Sequence, residues 1–132
     1  MWYYNTMLVI LPLSVKQSKK KNFILNLNNY RNAHHCILSN TKLNYKELIL
    51  PLIPHGYHFD KPVKFTYTYF HGNKRRVDVS NPCSIIDKFV SDVLVDRGVL
   101  PDDNTDHLKR VEYVWGGVDK DNPRCELEIR LI

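Results

Sequence analysis

The chain has 132 residues, enough for one hydrophobic core and too few for two domains. With 43% hydrophobic and 25% charged residues it is an ordinary globular chain, which excludes collagen-like, low-complexity and disordered classes. The formal net charge of +5 is unevenly spread, with net +10 over residues 1–77 and net −5 over residues 78–132, a division that suits a protein holding a polyanion and coordinating a metal upon it.

Cys36, Cys83 and Cys125 are odd in number and far apart, which favours reduced thiols in a cytoplasm over a disulfide framework. The apolar run at residues 7–13 is too short to span a bilayer and contains Pro12. It lacks a basic leader and a small-residue cleavage site. A cytoplasmic protein with no membrane partner is expected.

In chain order, residues 7–11 read as a buried strand. Residues 14–22, with Lys16, Lys19, Lys20 and Lys21 and no periodicity, read as a loop. Such a lysine cluster is either a solvated face or a phosphate-contact arm. Tyr30, Arg31, His34 and His35 extend that surface. His34, His35 and Cys36 are ligand types, but adjacent ligands lack the usual spacing of a tetrahedral zinc site. They read as surface or groove-lining residues, as do His55 and His58.

Residues 32–50 carry a helical pattern, with Tyr45, Leu48, Ile49 and Leu52 at helical spacing and Pro51 marking the end. A loop follows to Pro62. Residues 63–70 are dense in β-branched and aromatic residues and read as a strand. After the turn His71-Gly72-Asn73, residues 74–79 return as the second arm of a hairpin that delivers Asp78. Asn81 is a natural N-cap and Pro82 fits the first helical position. The helix over residues 82–97 places Ile85, Ile86, Phe89, Val90, Val93 and Leu94 on one face and Asp87, Lys88, Ser91 and Asp92 on another. Gly98 is the stop signal. Residues 108–115 and 126–131 form a second hairpin around residues 116–124. The expected fold is α+β: one domain over residues 1–132, with a mostly antiparallel or mixed sheet of about five strands and two helices on one side.

Asp78 follows three cations, and Asp102-Asp103-Asn104 lies beyond the helix. Two acidic clusters flanking a helix that carries a lysine suggest a divalent-metal phosphodiesterase, although aspartates at strand ends and in turns are also ordinary turn chemistry. Geometry sets a condition. The helix is about 24 Å long, so Asp78 and Asp103 start at opposite ends. Five extended residues after Gly98 carry the chain back by roughly 17 Å. The site therefore requires residues 99–101 to double back along the helix, or else four of the residues between Asn81 and Lys88 to form a non-helical turn and shorten the helix.

Arg75-Arg76, Asp78, Asn81, Lys88, Asp92, Gly98 and Asp102-Asp103 follow one another as in the RusA family of Holliday junction resolvases, and the stretch resembles that family. The resemblance is strong over about 30 residues and weaker at Leu11-Pro12-Leu13-Ser14, at Asn28-Asn29-Tyr30-Arg31 and in the final strand. It implies a small homodimeric endonuclease of bacteriophages and prophages that uses Mg²⁺ (or Mn²⁺) to nick four-way DNA junctions in pairs, leaving 5′-phosphates. Asp78 and Asp103 are the implied catalytic metal ligands, with Asp102 beside them, and Lys88 is the implied catalytic cation. Lys19, Lys20, Lys21, Arg31, Lys74, Arg75 and Arg76 are the expected DNA contacts.

Two departures stand out. Ser80 occupies the place of the family's usual second Asp, leaving Asp102, Asp92 or Asp87 to supply the lost carboxylate. Four extra residues separate Asn81 from Lys88, about one helical turn or roughly 6 Å of rise. The alternative function is a nucleic-acid-binding module that kept the fold and lost catalysis, with Ser80 as the lesion.

Overall fold

Alternation along three strands decides where the core lies. Val63, Phe65, Tyr67 and Tyr69 are buried on one strand, Cys125, Leu127 and Ile129 on another, and Met7, Val9 and Leu11 on a third. Their alternate neighbours face outward, where Arg124–Glu126 and Arg110–Glu112 pair at 2.7 and 2.8 Å. One face of the sheet is therefore apolar and the other largely polar, interrupted by the exposed Leu8 and Ile10 of the third strand.

The computed structural model describes residues 6–132. The chain runs β1 (Thr6–Leu11), β2 (Ser14–Lys16), β3 (Asn22–Ile24), α1 (Leu27–Asn32), α2 (His35–Ile49), a 3-10 turn (Leu50–Leu52), β4 (Val63–His71), α3 (Ser80–Asp96), β5 (Leu108–Val118) and β6 (Arg124–Leu131). The main sheet has four strands in the order β1-β6-β4-β5, and β2 and β3 form a separate ribbon. β6 is antiparallel to both β1 and β4, whereas β4 and β5 are parallel. The architecture is α+β with a mixed sheet, as the sequence leads one to expect.

α3 fills the apolar face with Ile85, Ile86, Phe89, Val90, Val93 and Leu94. The Phe89 ring is the meeting point of the helical layer. Tyr45 of α2 meets it edge-on at 5.7 Å and Phe23 of β3 stacks on it at 6.2 Å. The hydroxyl of Tyr45 is satisfied by the Pro12 carbonyl at 2.8 Å. Cys83 and Cys125 are buried free thiols, and Cys36 is an exposed one.

Several expectations are corrected. The second hairpin does not exist: β4 lies between β5 and β6, and residues 119–123 cross its end, with the Asp119 N–H on the His71 carbonyl at 2.8 Å. The parallel β4–β5 pairing needs a long crossover, which α3 supplies. Residues 74–79 are not a strand, because both edges of β4 are already taken; the Asn73 side chain instead turns the chain by accepting the Arg75 N–H at 2.9 Å. Residues 14–22 are only partly a loop: residues 14–16 and 22 belong to the ribbon β2–β3, and the lysine-bearing residues 17–21 are the loop between its strands, closed by the Gln17 N–H to Lys21 carbonyl bond at 2.9 Å. The helix expected over residues 32–50 is present as α2, starting at His35 with the His34 imidazole capping it through Cys36 N–H at 3.2 Å; the short α1 that precedes it, ending at Asn32, lies outside that expectation. Asn81 is not the N-cap of α3, which begins at Ser80. Its Oδ1 accepts the Leu27 N–H at 2.9 Å and so caps α1 from a distance.

β5 slips against β4 at a bulge, with Tyr69 opposite Trp115 but Phe70 opposite Gly117. Gly116 is the extra residue. A Cβ there would stand 2.8 Å from the Phe70 ring and 2.9 Å from the Thr68 methyl, while the Arg124 guanidinium already covers the same ring at 4.0 Å. Gly116→Ala should destabilise the protein by about 1–3 kcal/mol through overpacking. Urea unfolding reads this as a lower midpoint at unchanged slope; a wild-type midpoint would show that the ring retreats freely.

Candidate active site

α3 is the spine of the site, and one buried hydroxyl orients it. Tyr67 is fully buried in β4, so its hydroxyl needs an acceptor inside the fold. Asp87 provides it: Oδ1 accepts from the Tyr67 hydroxyl at 2.6 Å and from Ser91 Oγ at 3.0 Å. Burial first, then the charge and hydrogen bond of Asp87, raise Tyr67 well above the ordinary tyrosine range. Burial and the same charge push the neighbouring Tyr113 up to about 12. Tyr67 thus stays a donor, and Asp87 is held through one oxygen.

Beside Asp87, Lys88, Ser91 and Asp92 line a cleft of about 270 Å³ with Tyr30, Lys42 and Asp103. Asp103 arrives because the chain doubles back. Gly98, at φ +81°, closes α3 with the paired bonds Gly98 N–H to Val95 and Val99 N–H to Leu94, at 3.0 and 2.9 Å. Val99 and Leu100 are then buried, and the Val99 carbonyl accepts the Phe59 N–H at 2.8 Å. This is the return path along the helix, the first of the two routes that the chain-length argument allows.

Asp87 is engaged by Tyr67 and Ser91, but the lysines of the cleft are not paired with its carboxylates. Lys42 and Lys88 each stand 5.9 Å from the Tyr30 ring centroid. Among the described residues neither lysine forms an ion pair with Asp87, Asp92 or Asp103. Asp103 is held above the ordinary carboxylate range, by partial burial first and then by the neighbouring Asp102 side chain and the charge of Asp92. Asp102 serves the turn, accepting the Asp103 N–H at 2.7 Å and the Asn104 amide at 3.0 Å.

Other expected residues lie elsewhere. Asp78 lines a second cleft, of about 730 Å³, with Lys74, Arg75, Arg76, Val77, Asn81 and Trp115. The structure brings Asp103 to Lys88 but does not bring Asp78 into the same cleft. Lys19 and Lys20 are exposed at the tip of the β2–β3 ribbon and Arg31 is exposed on α1. Lys21 lines a polar cleft of about 380 Å³ with Asn22, Asn29, Asn32 and His34. Sequence reasoning missed Lys42 and Tyr67. A tyrosine in the buried register of a strand is a signal for the second, since its hydroxyl demands a partner; nothing in the spacing of Lys42 singles it out.

Asp87, Asp92 and Asp103 are the carboxylate donor type that a hard divalent cation takes, though their oxygens do not all lie within 4.8 Å of one another. Mg²⁺ retains several waters and takes only one or two carboxylates directly, and the like-charged crowding around Asp103 is what a cation relieves. Among the described residues, the only three His, Cys, Asp or Glu side chains with donor atoms all within 4.8 Å of one another are His34, His35 and Cys36, which are exposed.

The raised Asp103 value has a stability consequence with a definite sign. A carboxyl that holds its proton more tightly when folded adds stability that is full below its unfolded value and is lost as pH rises through the folded one. Asp103→Asn should therefore raise the melting temperature at neutral pH without metal, by an amount worth at most about 1 kcal/mol at so exposed a site. The gain should vanish below the carboxylate range; a pH series of thermal melts showing no gain at any pH would contradict the electrostatic account. No protein-family model matches the chain, and no curated protein is detectably similar to it.

Proposed function

We propose that the protein is a metal-dependent endonuclease acting on branched DNA, Holliday junctions included, as a homodimer that makes paired nicks. The observation that carries this reading is the cleft in which three carboxylates, Asp87, Asp92 and Asp103, meet two lysines, Lys42 and Lys88, with no ion pair among them. Pairing such charges internally is the ordinary outcome on a protein surface; leaving them open suits a ligand that carries both a cation and an anion. The basic ribbon tip and the likeness of residues 75–103 to the RusA pattern point the same way.

Mg²⁺ or Mn²⁺ bound there supplies positive charge at the scissile phosphate and polarises the attacking water. Asp103 and Asp92 would hold it, with the free oxygen of Asp87 close by; Asp78 is assigned to that role by the resemblance alone. Lys88 places a fixed charge beside a non-bridging or leaving oxygen, and the Tyr30 ring limits where its ammonium can go. Lys42 adds a second charge on the same ring. Lys19, Lys20, Lys21 and Arg31 grip the phosphates of a flanking arm. Two copies related by a two-fold axis present two such clefts, which matches a substrate with approximate two-fold symmetry.

Cleavage of a fixed four-way junction with and without Mg²⁺ tests the reading. Asp103→Asn and Lys88→Ala should each lower the rate by about 10²–10³-fold, the usual loss for one electrostatic group at a reacting centre, while metal-free junction binding stays equal or tightens for Asp103→Asn. Extra metal should not rescue Lys88→Ala. Junction binding without cleavage by the wild-type protein would establish the binding-module alternative; wild-type rates in both variants would remove the cleft from the chemistry.

Neutralising Lys19, Lys20 and Lys21 together should flatten the salt dependence of junction binding by up to about one unit of slope per lost phosphate contact. An unchanged slope would take the ribbon out of the interface.

A further inference from the structure

The cleft containing Asp78 is left unexplained by phosphate chemistry alone. Its cations, Lys74, Arg75 and Arg76, are all exposed and enter none of the ion pairs among the described residues. The wall opposite them is the indole of Trp115, which is 48% exposed, unusual for a residue that is highly buried on average. It is not loose. Tyr69 and His71 of β4 lie against it, each with its centroid 6.2 Å away. The imidazole of His71 is held in turn by the Tyr69 hydroxyl at 2.9 Å. A large ring is thus presented to solvent in a fixed orientation, so little conformational freedom remains to be lost when something stacks on it.

We propose that this cleft is a subsite for an unpaired nucleobase: the base stacks on Trp115 while Lys74, Arg75 and Arg76 hold the phosphates on either side of it. The proposal rests on the DNA-binding reading above and adds to it the part of the substrate that is recognised. The mixture of groups selects this occupant. Three cations and one carboxylate suit a ligand that is anionic at its backbone and carries amine donors on its edge, and Asp78 disfavours a bare phosphate. Stacking on an exposed aromatic between cations is how single strands are bound without sequence preference. Position agrees as well. Asn81 and Lys88 are seven residues apart on α3, about 10 Å of rise, which is roughly three base steps at ~3.4 Å each. A strand whose phosphate lies at Lys88 can therefore place a base at Trp115 a few nucleotides away, where a branch point interrupts stacking and lowers the cost of splaying a base out of its pair.

Replacing Trp2 by Phe leaves Trp115 as the only tryptophan of the two in the chain, and its fluorescence then reports the cleft directly. In metal-free buffer, a four-way junction and a duplex with a single-base bulge should quench that fluorescence, and a fully paired duplex or a free mononucleotide should quench it far less. Trp115→Ala should weaken binding to the junction and the bulge by roughly 10- to 100-fold, the range for loss of one base stack, and leave binding to the paired duplex unchanged. Trp115→Phe, which keeps an aromatic face, should retain most of the preference. Equal binding of all DNAs by wild type and Trp115→Ala overturns the subsite while leaving the endonuclease reading intact. Absence of any DNA binding by the wild type overturns that reading itself. Loss of a wild-type dimer in Trp115→Ala, seen by light scattering, would assign the ring to a contact between copies and also overturn the subsite.

Discussion

The rotation of α3 on the sheet is set by its apolar face and pinned by the hydrogen bond from the Tyr67 hydroxyl to Asp87. A buried hydroxyl without an acceptor costs about 1–3 kcal/mol, so the helix has a strong reason to present Asp87 to β4. With 3.6 residues per turn, fixing residue 87 also fixes where residues 88, 91 and 92 look. The apolar set from Ile85 to Leu94 fills the remaining direction. The cleft is therefore a by-product of packing: once the core side of α3 is satisfied, Lys88 and Asp92 have only one outlet.

The same logic explains which parts of the molecule could be read from the sequence. β4 and β6 follow period-2 alternation, and α3 is bounded by Asn-Pro and Gly98, so local chemistry suffices for them. Chain length permits the return of Asp103 without dictating it, and it does not bring Asp78 to the same cleft. Strand partnership cannot be read locally. Consecutive strands are usually neighbours, which made a β5–β6 hairpin the natural expectation, yet the α3 crossover sets β5 parallel to β4 and leaves β6 to take the other edge. Asn81 shows the limit from another side. Its sequence context is that of a helix cap, but its partner is Leu27, 54 residues away, and only the packing of α1 on α3 creates that bond.

The two oppositely charged halves of the chain meet at Tyr30. Lys42, from the basic half, reaches both the Tyr30 and Phe89 rings, at 5.9 and 5.8 Å, and Lys88, from the acidic half, approaches Tyr30 from α3. Aromatic faces attract ammonium groups without neutralising them. The rings thus lie beside two cations that share the cleft with three carboxylates and form no salt bridge with them. Such an arrangement gives up some stability, as functional clusters commonly do.

The place of β6 bears on how the fold can be assembled. It is an interior strand, flanked by β1 and β4, yet it is the last element in the chain order. Thr6 pairs with Arg130 and Leu11 with Cys125, so β1 finds its neighbour only after every other described element has been made. During synthesis, β1 and β4 are made before the strand that lies between them, so the gap is open until β6 arrives. Long-range pairing of this kind folds slowly, and the open slot is a place where another chain's strand can insert. The arrival of β6 closes the sheet from within, in one step that joins the two ends of the described chain.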